Sequence, residues 1–158
     1  MNTSQLRCAT DCDPVMRKKV LGVYARDEVP KEIRTFPTGY IVNTDKSDGL
    51  GKHWVAFYGE SKEEKEFFDS YGHSPSHFSF EANTYNDKRL QSNTSRVCGQ
   101  YCLYYLLNRC RGVTMESLLR PFGNDLKAND NYVYEYIQTS FPYCFYHTCT
   151  RQTCCAEL

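Results

Sequence analysis

The chain has 158 residues, enough for one domain with a buried core. Nineteen basic residues balance nineteen acidic ones, so nothing global argues for binding nucleic acid or an anionic membrane. No apolar run approaches the length of a membrane span.

The N-terminal stretch MNTSQLRCATDCD lacks the apolar core of a secretory signal. The nine cysteines are many, but their number is odd. An intracellular, reduced setting is therefore expected in place of a disulfide framework. Residues 13–24 (DPVMRKKVLGVY) predict a short helix, capped by Asp13, with Pro14 at its first position and Val15, Met16, Val20 and Val23 on one side. Arg17, Lys18 and Lys19 form a solvated basic face. Residues 25–37 carry two prolines and read as loop.

Residues 38–43 (TGYIVN) predict a strand, and 44–51 (TDKSDGLG) a turn. Residues 52–58 (KHWVAFY) are the strongest strand, apolar without clean alternation, as in a strand buried on both faces. After the polar turn 59–64, residues 65–71 (KEFFDSY) complete an antiparallel hairpin. If Tyr58 faces Glu64, His53 stands opposite Asp69, with Cβ atoms about 4.5–5.5 Å apart. A slip by two keeps both on one face. Residues 72–90 read as loop with one short element near SHFSFEA. Helices are expected at about 97–110, at 115–120 capped by Thr114, and at 131–141 capped by Asn129 or Asp130. The division is one domain over 1–142 and a Cys-rich tail over 143–158.

The chain is organised around QSNTSRVCGQYCLYYLLNRC, residues 91–110. A polar loop, Ser92–Ser95, leads to a helix that is apolar nearly all round. Cys98 sits in its first turn, where the macrodipole favours thiolate over thiol. Gly99 removes a side chain where a substrate backbone would pass. Most buried cysteines only pack, but acyl transfer needs four parts, and all four have candidates here. Cys98 is the thiol and His53 the base, followed by the only tryptophan, Trp54. Asp69 orients the imidazole, and Gln91 offers a side-chain NH2 to an oxyanion beside the Cys98 N–H. The order His, Asp, Gln, Cys reverses that of papain, where the cysteine comes first.

His53–Trp54, Asp69, and Gln91 seven residues before Cys98–Gly99 resemble the adenovirus-type cysteine endopeptidases, the adenain family. VLGVYARDEVP (20–30), YIVNT (40–44), HWVAFY (53–58) and FFDSYG (67–72) extend the resemblance over roughly 13–110. It implies an α+β, papain-like fold with rearranged connectivity, a small mixed sheet packed on the central helix that carries the cysteine. It also implies a monomeric thiol protease that processes viral precursor proteins at glycine-containing sites during virion maturation, in the host nucleus and the virion. In these terms His53 is the general base, Asp69 its partner, Gln91 the oxyanion donor and Cys98 the nucleophile, with Trp54 and Gly99 at the substrate.

Asp69–Ser70 resembles instead the related proteases of SUMO- and ubiquitin-like modifiers, so an isopeptidase is the second reading. A non-catalytic binding module on the same fold is the third. Members of the adenovirus family respond to a disulfide-linked peptide and to DNA. No cysteine lies between Cys12 and Cys98, and the net charge is zero, which point away from both activators. The sequence itself requires no cofactor.

His147, Cys149, Cys154 and Cys155, with Cys144, invite a zinc reading, but their spacing fits no standard pattern. Free or partly oxidised tail thiols, or docking of the tail against Cys8 and Cys12, are the better expectation. His73 and His77 read as surface histidines, too few for a metal site. The thirteen tyrosines and nine phenylalanines lack interleaved basic residues and read as core.

Overall fold

The structure, a computed structural model, describes residues 1–145. It is an α+β chain: α1 (Thr3–Cys12), α2 (Met16–Lys19), β1 (Val20–Ala25), β2 (Thr38–Asn43), β3 (Trp54–Gly59), β4 (Lys65–Phe68), a 3-10 turn (Pro75–Phe78), β5 (Thr84–Tyr85), α3 (Cys98–Arg109), α4 (Met115–Leu119) and α5 (Leu126–Ser140). The five strands form one mixed sheet in the order β1-β2-β3-β4-β5. Both outer pairs, β1–β2 and β4–β5, are parallel, and the two inner pairs are antiparallel.

Strands β2 and β3 are buried along their whole length, as the unbroken apolar run at 52–58 predicts. Their residues still divide by period two. Ile41, Ala56, Tyr58 and Phe68 face the helical side with α3. Tyr40, Val42, Val55, Phe57 and Phe67 face the other side, where Val29, Ile33, Phe78 and Phe80 from loops and the 3-10 turn cover them. The sheet is therefore sandwiched between a helical layer and an aromatic lid made of loops.

Helix α3 packs against β2 and β3, and α1 and α5 flank it. Every residue from Gly99 to Leu107 is buried, which fits its all-round apolar surface. Its far end is clamped to the hairpin: Arg109 Nε bonds Glu66 Oε1 at 2.9 Å and its guanidinium lies 4.5 Å from the Tyr58 ring centroid. The Tyr105 hydroxyl donates to the same Glu66 oxygen at 2.6 Å. This clamp sets how α3 lies on β3 and β4, and so where its first turn falls relative to the hairpin's open end.

Several sequence expectations are corrected. Residues 20–25 are not the end of a helix but the edge strand β1, because Val23 is buried beside Ile41 in the parallel pairing with β2. The hairpin pairs Tyr58 with Glu66 and Gly59 with Lys65, a slip of two from the expected register. Helix α5 starts earlier, capped by Asp125, whose carboxylate accepts from the Lys127 and Ala128 amides. Asn129 and Asp130 lie inside it as buried tertiary anchors. Helix α1 has no counterpart in the sequence reading. It is held by a reciprocal cap between Asn2 and Gln5. Helices α3 and α4 fall where expected, and the Thr114 hydroxyl caps α4 as predicted. Cys144, from the start of the tail, is buried against Cys8 and Cys12 of α1. His147, Cys149, Cys154 and Cys155 lie outside the described residues.

At Gly39, α3 approaches the sheet closely. A Cβ there would stand 2.6 Å from Leu106 Cδ2 and 3.2 Å from the Phe57 carbonyl oxygen. Gly39→Ala should therefore destabilise the fold by about 1–3 kcal/mol through overpacking, read from urea denaturation. An unchanged midpoint would mean that α3 is free to move away from β2.

Candidate active site

His53 immediately precedes β3, and Asp69 immediately follows β4, so both stand at the open end of the hairpin. His53 Nε2 lies 2.6 Å from Asp69 Oδ1. The observed register aligns His53 with Tyr71, whose ring centroid is 5.0 Å from that of the imidazole. The slip by two leaves the carboxylate within reach, since both positions share a face.

Asp69 is completely buried, and both carboxylate oxygens are used. Oδ1 also accepts the Tyr71 N–H at 3.1 Å. Oδ2 accepts the His73 N–H at 3.1 Å and bonds His73 Nδ1 at 2.8 Å. The Asp69 main chain is pinned by Asn86, whose Oδ1 accepts the Asp69 N–H at 2.9 Å and whose Nδ2 donates to the Asp69 carbonyl at 2.6 Å. A buried carboxylate is costly unless satisfied in this way. Burial pushes its pKa up, but the bonds from His53, Tyr71 and His73 outweigh that and hold it below the usual value.

Cys98 is the first residue of α3. The His53 side chain and the Trp54 backbone N–H both favour its ionised form. His53 Nε2 is taken by Asp69, which leaves Nδ1 as the ring nitrogen for a thiol. Burial alone would raise the thiol pKa, yet the bond and charge of His53, with the Trp54 amide, lower it. Burial would likewise lower the imidazole pKa, yet Asp69 and Cys98 raise it to about 9. The two directions both favour the thiolate–imidazolium form of the pair over the neutral form. Cys102, one turn along the same helix, is fully buried, and its pKa is pushed well up by that burial. Position on α3 thus separates a reactive sulfur from a packing sulfur.

Gln91 is buried on the adjoining loop. Its Oε1 accepts from Ser70 Oγ at 2.6 Å, and its Nε2 donates to Ser95 O at 3.2 Å and Ser95 Oγ at 3.1 Å. The loop is tied to α5 by Asp130, which accepts Ser92 N at 3.2 Å and Ser92 Oγ at 2.6 Å on one oxygen. The other oxygen accepts the Tyr101 hydroxyl at 3.1 Å, joining the loop to α3 as well.

Trp54 is nearly buried, and its Nε1–H donates to the Met1 carbonyl at 3.1 Å. A Cβ on Gly99 would stand 3.1 Å from Met1 Cβ, 3.4 Å from Leu6 Cδ2 and 3.5 Å from Trp54 Cδ1. The space beside Gly99, expected to face a substrate backbone, is filled here by the chain's own Met1, Leu6 and Trp54.

Three contributors escaped sequence reading. His73 is exposed, as the surface reading has it, yet it is also a second partner of Asp69. The signal was its place one residue past Gly72, whose φ of +74° turns the chain back toward Asp69. Asn86 and Asp130 lie distant in sequence, and only the folded chain reveals them. His77 does match the surface reading, stacked on His73 with centroids 4.3 Å apart. Among the described residues, no helix is long and apolar enough to cross a membrane.

No protein-family model matches this chain, and no curated protein does. A solved structure with some likeness is the central domain of the uncharacterized Lpg1148 protein from Legionella pneumophila. It is 13% identical, with a TM-score of 0.37, over 77% of this chain and 88% of that one. A likeness at that level carries no argument about fold or activity.

Two measurements check the ion pair. Near pH 6, iodoacetamide should label Cys98 at least tenfold faster than Cys102, read by peptide mass spectrometry; equal labelling would mean a neutral, packed Cys98. The second is linkage. Between pH 6.5 and about 9 the folded His53 holds a proton that the unfolded chain has lost, so its stabilisation is lost as pH rises. The folded Cys98 lacks a proton that the unfolded thiol still holds, so its contribution has the opposite slope. The two offset each other in the intact chain. Cys98→Ala removes that opposing contribution together with the part of the His53 shift that Cys98 causes, so the urea midpoint should fall as pH rises from 6.5 by the share that Asp69 sustains. A flat or rising midpoint in that variant would count against Asp69 holding His53 protonated.

Proposed function

We propose that this chain is a cysteine endopeptidase of the adenovirus type, which cuts the structural precursor proteins of a virus or virus-like element at glycine-containing sites. The observation that carries the reading is the His53 imidazole held at 2.6 Å by a buried carboxylate, with Cys98 at a helix start and each of His53 and Cys98 favouring the other's charged form. A mixed sheet packed on the cysteine helix agrees with the papain-like arrangement that the resemblance implies.

In this reading the Cys98 thiolate attacks the scissile carbonyl. The oxyanion that forms is met by the Cys98 N–H, in the first turn of α3, and by Gln91 Nε2. A substrate would displace the Ser95 hydroxyl from Gln91 Nε2, while the bond to the Ser95 carbonyl keeps the amide oriented. The His53 imidazolium gives its Nδ1 proton to the leaving amine as the C–N bond breaks, leaving a thioester on Cys98. Neutral His53 then takes a proton from water as the water attacks the thioester. Collapse of that second oxyanion expels the thiolate, regenerating the ion pair. Asp69 stays ionised throughout and stabilises the imidazolium. Trp54 and Gly99 would border a narrow slot that admits glycine best.

The second reading, an isopeptidase for SUMO- or ubiquitin-like tails, is favoured by Asp69 as the acid and by Ser70, whose hydroxyl holds Gln91 in place. Peptide-library cleavage against release from a modifier fusion separates the two.

Cys98→Ala and His53→Ala should abolish hydrolysis of glycine-containing peptides while the fold persists by circular dichroism. Gln91→Ala should lower kcat about a hundredfold, the usual effect of one lost oxyanion donor. Undiminished turnover in Cys98→Ala would remove the protease assignment altogether.

A further inference from the structure

Away from the His53–Cys98 pair, three cysteines converge on one point. Cys8 and Cys12 lie one turn apart on the same face of α1, with their sulfurs 3.9 Å apart. Cys144, 136 residues beyond Cys8, brings its sulfur to 3.0 Å from that of Cys8. All three sulfur atoms lie within 4.8 Å of one another, and Cys144 is only 2% exposed. Cys8 stands in disulfide form, and with sulfurs 3.9 and 3.0 Å away neither Cys12 nor Cys144 is its disulfide partner. A metal at this cluster therefore competes with that disulfide for the Cys8 sulfur.

We propose that in the reduced chain Cys8, Cys12 and Cys144 form a structural site for a thiophilic divalent metal, zinc foremost. A phosphine gives two electrons and becomes the phosphine oxide, while water supplies its oxygen and the two protons, so the disulfide opens to the Cys8 thiol and its partner's thiol. Each thiol of the site then gives up its proton on binding, so up to three protons leave as the metal enters. The Cys8 disulfide includes neither Cys12 nor Cys144 and gives no reason for both to converge on Cys8, whereas a thiolate metal site needs at least three sulfurs. Zinc–sulfur bonds of about 2.3 Å in a tetrahedron place sulfurs about 3.8 Å apart. The Cys8–Cys12 separation already matches that edge, and Cys144 needs to withdraw from Cys8 by less than an ångström. Thiolate donors select zinc over magnesium or calcium. Three thiolates buried together would repel one another, and the dication supplies the compensating charge.

The spacing C-x3-C on α1 with a third ligand far along the chain is invisible to a local pattern search, which explains why the tail alone fits no zinc motif. The three residues leave one coordination position. The sequence offers His147, Cys149, Cys154 and Cys155 within eleven residues of Cys144. The bound metal would fasten α1, which packs on β1 and α3, to the end of the chain that follows α5.

The test uses the full-length protein, reduced with a phosphine under argon, exposed to zinc and passed through a desalting column. About one zinc per chain should be retained, measured by elemental analysis. Cobalt in its place should give the sulfur-to-metal charge-transfer band and the intense visible bands of a tetrahedral thiolate site. Cys12→Ser and Cys144→Ser should each weaken zinc binding at least tenfold, while Cys110→Ser, outside the cluster, should not. A reduced protein that retains no zinc would overturn the proposal, as would zinc held equally well by Cys12→Ser and Cys144→Ser. If either variant fails to fold, the cobalt spectrum of the unaltered chain decides alone: without sulfur charge transfer, the site is absent. None of these readouts depends on peptide hydrolysis, so the result stands apart from the protease reading.

Discussion

The structure depends on one buried carboxylate. Asp69 receives an imidazole on each oxygen, and two backbone amides besides, while Asn86 grips its main chain from both sides. Without these donors, its position beneath the sheet's end would carry a large desolvation penalty. With them, the carboxylate becomes the fixed point from which the His53 ring is aimed. The hairpin holds both residues in place, and the Arg109–Glu66–Tyr105 clamp holds α3 against the same hairpin. The backbones of His53, Asp69 and Cys98 are therefore held at the ends of β3, β4 and α3. That rigidity is what a preorganised thiolate–imidazolium pair needs.

Electrostatics and burial act here in opposition, and their balance distinguishes two cysteines on one helix. At Cys98, desolvation resists ionisation, but a cation and a backbone N–H prevail. At Cys102, desolvation acts without such a counterweight. The helix dipole adds to the difference, because only the first turn presents unpaired N–H groups.

Much of the site was legible before folding. His53, Asp69 and Cys98 lie on elements whose patterns are strong: a wholly apolar strand, its hairpin partner and an apolar helix after a polar loop. Side-chain direction has period two, so the argument survived a register that differs by two residues. What escaped was set by distant contacts. Segment 20–25 has helix-compatible residues and becomes a strand only because β2 offers a parallel partner. Helix α1 has few apolar residues, and its burial of Leu6 and Ala9 against the core could not be read from its own stretch. Asn129 and Asp130 have the chemistry of caps, yet tertiary bonds to Leu90, Gly123, Ser92 and Tyr101 place them inside α5. His73 is solvated as read, but its bond to Asp69 escaped because a glycine turn, not strand pairing, brings it back.

Met1 and Leu6, with Trp54, close the flank of the cysteine helix at Gly99, and the Met1 carbonyl is tied to the indole. Because Leu6 also belongs to the core, that flank is sealed by the same side chain that seats α1, and an incoming chain there would contend with both.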